Sequence, residues 1–187
     1  MPFSVRKFSE CRLDDQFFDS LKEDYKGFEN WFEKKSKGGE TAYVHNDEDG
    51  RVQAFLYIKD LESEAVGDLI AESRMKIGTL KINRAFGGRR LGEGAIGIAL
   101  WKWQRSDLDR IYVTVFPKHD DLINILETYG FDKCGKKGEE FVFMKDKKGS
   151  NTTRFIVLFH ILIQILQEAN TFRSTMCTMT PCSNIQN

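Results

Sequence analysis

Residues 87–100 read GGRRLGEGAIGIAL, and the fold of the whole chain turns on them. By letter count, Gly92, Gly94 and Gly97 spell the GxGxxG of a dinucleotide-binding turn. That turn requires its glycines to follow a buried strand directly, with an acidic residue ~20 positions later at the tip of the next strand. Here Asn83 to Arg90 separate Gly92 from the preceding strand-like run, and the next one closes on Val115, Phe116 and Pro117 without a carboxylate. A Walker A loop is excluded because no Gly-Lys-Ser/Thr follows. Read from Arg89, the segment is instead RRLGEG, an RxxGxG that opens a helix whose Ile96, Ala99, Leu100 and Trp103 recur at i, i+3, i+4 and i+7. Successive backbone N–H groups and the helix dipole at such a point favour an anion, and glycine lets phosphate oxygens approach closely. Arg74, Lys76, Lys81, Arg84, Arg89 and Arg90 form a basic run around it with no carboxylate among them.

Outward from this segment the pattern is a mixed α/β one. On the N-terminal side come a short strand at Val5–Phe8 and a helix over Asp14–Tyr25 carrying Phe17, Phe18 and Leu21. A second helical face follows through Phe28, Trp31, Phe32 and Lys35, then a hairpin of Thr41–His45 and Val52–Lys59 around NDEDG. Leu61–Ser73 reads as a surface connection and Met75–Asn83 as a partly buried strand. On the C-terminal side IYVTVF, Ile111–Phe116, suits a central strand that Pro117 stops. A helix over His119–Tyr129 then ends at Gly130, and two strands, Phe131–Cys134 and Phe141–Lys145, complete the regular part. The order βαα, ββ, β, α, β, α, ββ is a mixed α/β sheet and not a series of uniform βαβ units.

Composition narrows the setting. The 187 residues carry 28 basic and 28 acidic side chains, so the overall balance gives no nucleic-acid or membrane signal. Cys11, Cys134, Cys177 and Cys182 form no CxxC pair, and the N-terminus lacks the apolar core of a signal peptide, so a cytoplasmic protein with reduced thiols is expected. No metal site is expected, because Cys177 and Cys182 lack supporting His or Asp neighbours. Residues 1–146 are read as one domain and 147–187 as a compositionally distinct tail. In the tail FIVLFHILIQILQ, residues 155–167, is too short to span a bilayer, which takes ~20 apolar residues. The tail's readings are a docked helix with an irregular end, an interfacial or partner-binding helix, or the product of an altered reading frame.

RxxGxG between a strand and a helix, followed by a strand, a helix and the YGF of Tyr129–Phe131, resembles the GNAT superfamily of acetyl-CoA-dependent N-acetyltransferases over residues 3–145. The resemblance implies a GNAT-like fold that uses acetyl-CoA as co-substrate and no metal. Arg89 would open the pyrophosphate motif, with the backbone amides of Arg90, Leu91, Gly92, Glu93, Gly94 and Ala95 holding the diphosphate. Leu80 and Ile82 would pair with the pantetheine arm where their strand and IYVTVF splay apart, and Asn124 would face the cofactor. The implied partner is an amine acceptor, either a small molecule or a group carried on protein or RNA. A homodimer is also among the expected assemblies, whereas direct nucleic-acid binding is disfavoured because no exposed aromatics interleave the basic run.

Amide formation needs a neutral amine, a donor to the developing oxyanion and a proton for the departing thiolate. Many members of the superfamily take that proton from a Tyr four residues before the Gly-Phe, where this chain has Leu126. Tyr129 lies three residues on and shares only a neighbouring helix face; the alternative for its ring is burial against Phe131. His119 is titratable near neutrality and stands as an acid or base, or as a helix cap or surface residue. Glu62, with Glu64 and Glu72 in the same connection, stands as a water-relayed base or as a contact to a cationic acceptor. A catalytically inactive module that binds coenzyme A or a partner is the alternative function.

Overall fold

A computed structural model describes residues 3–147, apart from Asp68, Arg84, Phe86 and Gly87 and the side chains of Gly88 and Arg89. The tail readings therefore lie outside the described residues; Met1–Ser150 forms a compact unit of its own.

Seven strands make one sheet: β1 (Ser4–Lys7), β2 (Thr41–Asn46), β3 (Val52–Glu62), β4 (Arg74–Ile82), β5 (Arg110–Val115), β6 (Asp132–Lys137) and β7 (Glu140–Asp146). Their order is β1-β2-β3-β4-β5-β7-β6, and only β4 and β5 run parallel. Two antiparallel halves thus meet at one parallel seam, whose crossover is a helix, as a parallel connection requires. That helix is α3 (Gly88–Gln104); α1 (Asp19–Asp24) and α2 (Phe28–Lys37) lie between β1 and β2, and α4 (Asp120–Thr128) between β5 and β6.

The two faces have different cores. Phe8, Phe18, Phe28, Phe32, Phe55 and Tyr57 pack as one aromatic cluster beneath α1 and α2. Phe8 meets Phe55 and Tyr57 edge-on at 5.4 and 5.2 Å, a geometry the ring quadrupoles favour. Across the sheet, α3 lies on β3, β4 and β5 and buries Ala95, Ile96, Ala99, Leu100 and Trp103, the stripe that its periodicity marks. No described helix is long and apolar enough to cross a membrane.

Three segments differ from the sequence reading. The helix expected over Asp14–Tyr25 is split: the Asp15 carboxylate accepts from the Phe17 amide at 2.9 Å, which starts a tight 3-10 turn over Gln16–Phe18 before the short α1. The connection expected from Leu61 is shorter, because β3 continues to Glu62 opposite Arg74. Most consequentially, α3 begins at Gly88, so Gly92 and Gly94 lie inside the helix and not in a loop before it. A Cβ on Gly92 would stand 2.9 Å from Ile125 Cδ1, which gives this glycine a reason in the approach of α3 to α4.

The YGF triplet is a helix stop. The Phe131 amide donates to Leu126 O and the Gly130 amide to Glu127 O, both at 3.0 Å, with Gly130 at φ +74°. This is the Schellman arrangement, and it seats Phe131 in the core.

Candidate functional site

The seam between β4 and β5 holds over only three pairs: Met75 with Ile111, Lys76 with Tyr112 and Ile77 with Val113. Just beyond, the β3–β4 register slips so that Gly78 is an extra residue between the Tyr57–Thr79 and Ile58–Ile77 pairs. A β-bulge bends its strand and breaks pairing locally. Glycine is demanded here by Tyr57, whose Cδ1 would lie 2.7 Å from a Cβ at position 78. From Gly78 onward β4 is paired with β3 alone, while β5 continues along β7. A cavity of about 460 Å³ opens where they part, lined by Ile77, Gly78, Thr79 and Leu80 on one side and Val113, Thr114 and Val115 on the other.

Further walls come from three other places. The α1–α2 junction and the first residue of α2 contribute Tyr25 to Phe28, the start of α4 contributes His119 and Leu122, and the facing ends of β6 and β7 contribute Lys137 and Glu140. Tyr25 links two of them by donating to Glu140 Oε1 at 2.7 Å. Burial first, and then that hydrogen bond, hold its phenol well above the usual range. Deeper in, Lys35 donates to the Tyr57 hydroxyl at 2.7 Å and pairs with Glu40 at 3.3 Å. Glu62 pairs with Lys59 at 3.1 Å. Burial opposes its ionisation, but the hydrogen bond and charge of Lys59, with the charges of Lys76 and Lys137, outweigh that and hold the carboxyl below its ordinary value.

A larger concavity, about 660 Å³, lies around Glu72, Asp107, Arg110 and Asp146. Four charges form a cluster along it: Arg110 bonds Glu72 at 2.6 Å and Asp146 at 2.5 Å, and Arg74 bonds Glu72 at 2.8 Å. This cluster is a charged joint between the segment before β4, β5 and β7.

The expected site residues separate into groups. Glu62, His119 and Leu80 line the cavity. His119 occupies the N-cap of α4, its Nε2 4.0 Å from Asp24 Oδ2 and its ring edge-on to Phe116. Tyr129 is the C-cap at the opposite end of α4, ~15 Å along the helix axis from His119 at 1.5 Å per residue, and is not among the described lining residues. Leu126 is completely buried. Ile82 and Asn124 lie outside the lining, and Asn124 is exposed on α4. Glu64 is exposed on its loop, and Glu72 belongs to the joint above.

The basic run does not gather into one patch. Arg74 is 1 % exposed and paired with Glu72, Lys81 donates to Ser20 Oγ at 2.6 Å, Lys76 faces the cavity, and Arg90 is exposed in the first turn of α3. Arg84 and the Arg89 side chain lie outside the described residues. A strand of nine residues extends ~30 Å at 3.3 Å per residue, so neighbours in a list are not neighbours in space.

At the start of α3, the first four N–H groups have no intrahelical acceptor. Gly88, Arg89 and Arg90 are therefore the helical residues whose amides are open to an anion, and those of Leu91, Gly92, Glu93, Gly94 and Ala95 fall in the turns where N–H groups bond back along the helix. The two described thiols are not activated. Cys11 is pushed up to about 11 by burial and the Glu10 charge against that of Arg6, and Cys134 is raised chiefly by burial.

Sequence reasoning missed Gly78, whose signal was a glycine inside an alternating strand, RMKIGTLKI. It also missed Tyr25, Tyr57, Lys59 and Lys137, which come together only through tertiary packing.

No protein-family model matches the sequence, and no curated protein does. Solved structures do match in fold. An acetyltransferase of the GNAT family from Listeria monocytogenes aligns at 19 % identity over 77 % of this chain and 94 % of its own, with a TM-score of 0.51. One from Streptococcus agalactiae aligns at 16 % identity over 78 % and 95 %, with a TM-score of 0.52. An N-acetyltransferase from Campylobacter jejuni, solved with acetyl coenzyme A, aligns at 8 % identity over 78 % and 99 %, with a TM-score of 0.51.

Proposed function

We propose that this chain, which has the fold of the GNAT acetyltransferases, transfers an acetyl group from acetyl-CoA to an amine by direct attack within a ternary complex. The observation that carries this reading is the parting of β4 from β5 at the Gly78 bulge, over a cavity lined by both strands. The unladdered β4 edge around Leu80 and Ile82 offers backbone groups to an amide-bearing arm, as a missing strand would. The open amides of Gly88, Arg89 and Arg90, at the positive end of the α3 dipole, suit a diphosphate. Acetyl-CoA supplies the activated thioester; the protein supplies position and proton transfer.

Within the cavity, His119 and Glu62 are the groups placed to move a proton, directly or through water. Glu62, held ionised by its lysines, stands as an acceptor of protons or a fixed charge and not as an acid. In this reading Tyr129, which caps the end of α4 far from His119, takes no part in the proton transfer. The free thiols of Cys11 and Cys134 fit a reducing compartment.

A second reading, a module that binds coenzyme A without turnover, is favoured by the apolar, buried Leu126 at the position where many acetyltransferases of this fold carry their acid. Calorimetry with coenzyme A tests both together: binding is expected, and Arg90→Glu, which suits a helix N-terminus but repels phosphate, is expected to weaken it about tenfold. Absence of binding at millimolar ligand overturns both readings. Thiol release from acetyl-CoA across an amine panel then separates them, since a binding module releases none.

A further inference from the structure

Resting on the acetyl-transfer reading, the charges lining the cavity bear on the amine. Five lysines, Lys26, Lys35, Lys59, Lys76 and Lys137, face two carboxylates, Glu62 and Glu140. The carboxylates are engaged. Glu140 takes the Tyr25 hydroxyl, and Glu62 takes Lys59 at 3.1 Å. Lys35 is satisfied from outside the cavity by Glu40. Among the described residues this leaves Lys26, Lys76 and Lys137 with no ion pair.

Lys76 is the most telling of the three. It projects from β4 one residue before the last pair of the seam, half-buried, with its ammonium 5.7 Å from the Tyr112 ring centroid. Burial, then the like charges of Lys137 and Lys59, disfavour its protonated form, while Glu62 and Glu140 only partly offset them. With Lys35 paired to Glu40, two carboxylates, Glu62 and Glu140, thus face four cations, Lys26, Lys59, Lys76 and Lys137. A cationic acceptor would add to an excess of positive charge, whereas an anion would relieve it.

We propose that the acceptor carries an anionic group, a carboxylate or a phosphate, in addition to its amine, and that Lys76 and Lys137 receive that group. This end of the cavity is distinct from the start of α3. Lys76 precedes the end of β4 by six residues, ~20 Å of extended chain, so the two lysines are separate from the amides assigned to the diphosphate.

The test uses the full chain saturated with coenzyme A and two matched pairs of probes: O-phosphoethanolamine against ethanolamine, and alanine against alaninamide. Calorimetry is expected to show the charged member of at least one pair binding tenfold tighter or more, and the pair that responds tells phosphate from carboxylate. The preference is expected to shrink toward unity in Lys76→Gln and in Lys137→Ala, the latter at the exposed last residue of β6, where loss of the side chain is expected to leave folding intact, and to weaken with added salt. Equal binding within both pairs, tighter binding of spermidine, or a preference that survives both substitutions overturns the proposal. Its failure is separable from that of acetyl transfer. Coenzyme A binding and thiol release without anion preference remove this inference alone, and anion preference without thiol release removes only the catalytic reading.

Discussion

Gly78 and Gly94 are both glycines inside regular elements, and a methyl group would meet very different surroundings at each. At position 78 it would sit 2.7 Å from Cδ1 of the buried Tyr57, a ring packed edge-on against Phe8 and Trp31. At position 94 its nearest neighbour is Phe3 Cε2 at 3.6 Å, an ordinary contact. Gly94→Ala is therefore expected to stabilise the protein by ~0.5–1 kcal/mol through helix propensity, and Gly78→Ala to destabilise it by ~1–3 kcal/mol through overpacking. Urea unfolding of the two variants checks the contrast; equal effects would remove the assigned role of Gly78. The distinction was not legible in the sequence, where Gly94 sits in a motif and Gly78 looks incidental. A motif displays letters, but the cost of a Cβ depends on the neighbour across the sheet.

Among the elements, α4 was the most readable. Leu122, Ile125 and Leu126 at helical spacing and a terminal glycine gave its limits nearly to the residue. Gly130 holds φ +74°, so Gly130→Ala is expected to cost ~1–2 kcal/mol, seen as a lower Tm, because a side chain disfavours that left-handed conformation. Strand β4 was legible as a strand but not as a broken one. Its bulge, and hence the cavity, exists because Tyr57 from β3 covers Gly78 while β5 stops pairing at Val113, and both facts belong to neighbours distant in sequence. For α3 the periodicity of Ile96, Ala99, Leu100 and Trp103 was sound, yet the helix begins four residues before Gly92, since a glycine inside a helix costs only ~1 kcal/mol, little against the burial of that stripe. Trp103→Ala, which empties a wholly buried position on that face, is expected to cost ~3–5 kcal/mol and to leave little folded protein at 37 °C by circular dichroism.

At the scale of the molecule, two antiparallel half-sheets are joined by three residue pairs and a charged joint. Glu72, before β4, is held by Arg110 of β5 and Arg74, and Arg110 also reaches Asp146 of β7. Hydrogen bonding from Arg110 leads the effects that hold the Glu72 carboxyl below its ordinary value, against burial. A depressed folded-state value contributes stability that is present above the unfolded value, near 4.5, and is lost as pH falls through the folded one. Glu72→Gln is thus expected to lower stability at pH 7 by ~1 kcal/mol, a modest figure because the joint is partly open to solvent, and to flatten the acid limb of the stability profile. Denaturant midpoints between pH 7 and pH 3 check this; an unchanged slope would dismiss the joint.

The sequence by itself determined the succession of strands and helices, the mixed sheet and the likeness to acetyl-CoA-dependent transferases, because periodicity, turn residues and caps act over a few neighbouring positions. Tertiary structure alone decided where β4 leaves β5, which of the expected carboxylates enters the cavity and which is spent in the joint, that Tyr129 caps the far end of α4, and that Lys76 and Lys137 line the cavity with no ion pair among the described residues. Those outcomes depend on pairing and charge between segments far apart in the chain, where electrostatic and steric effects follow distance in space and not position in a list.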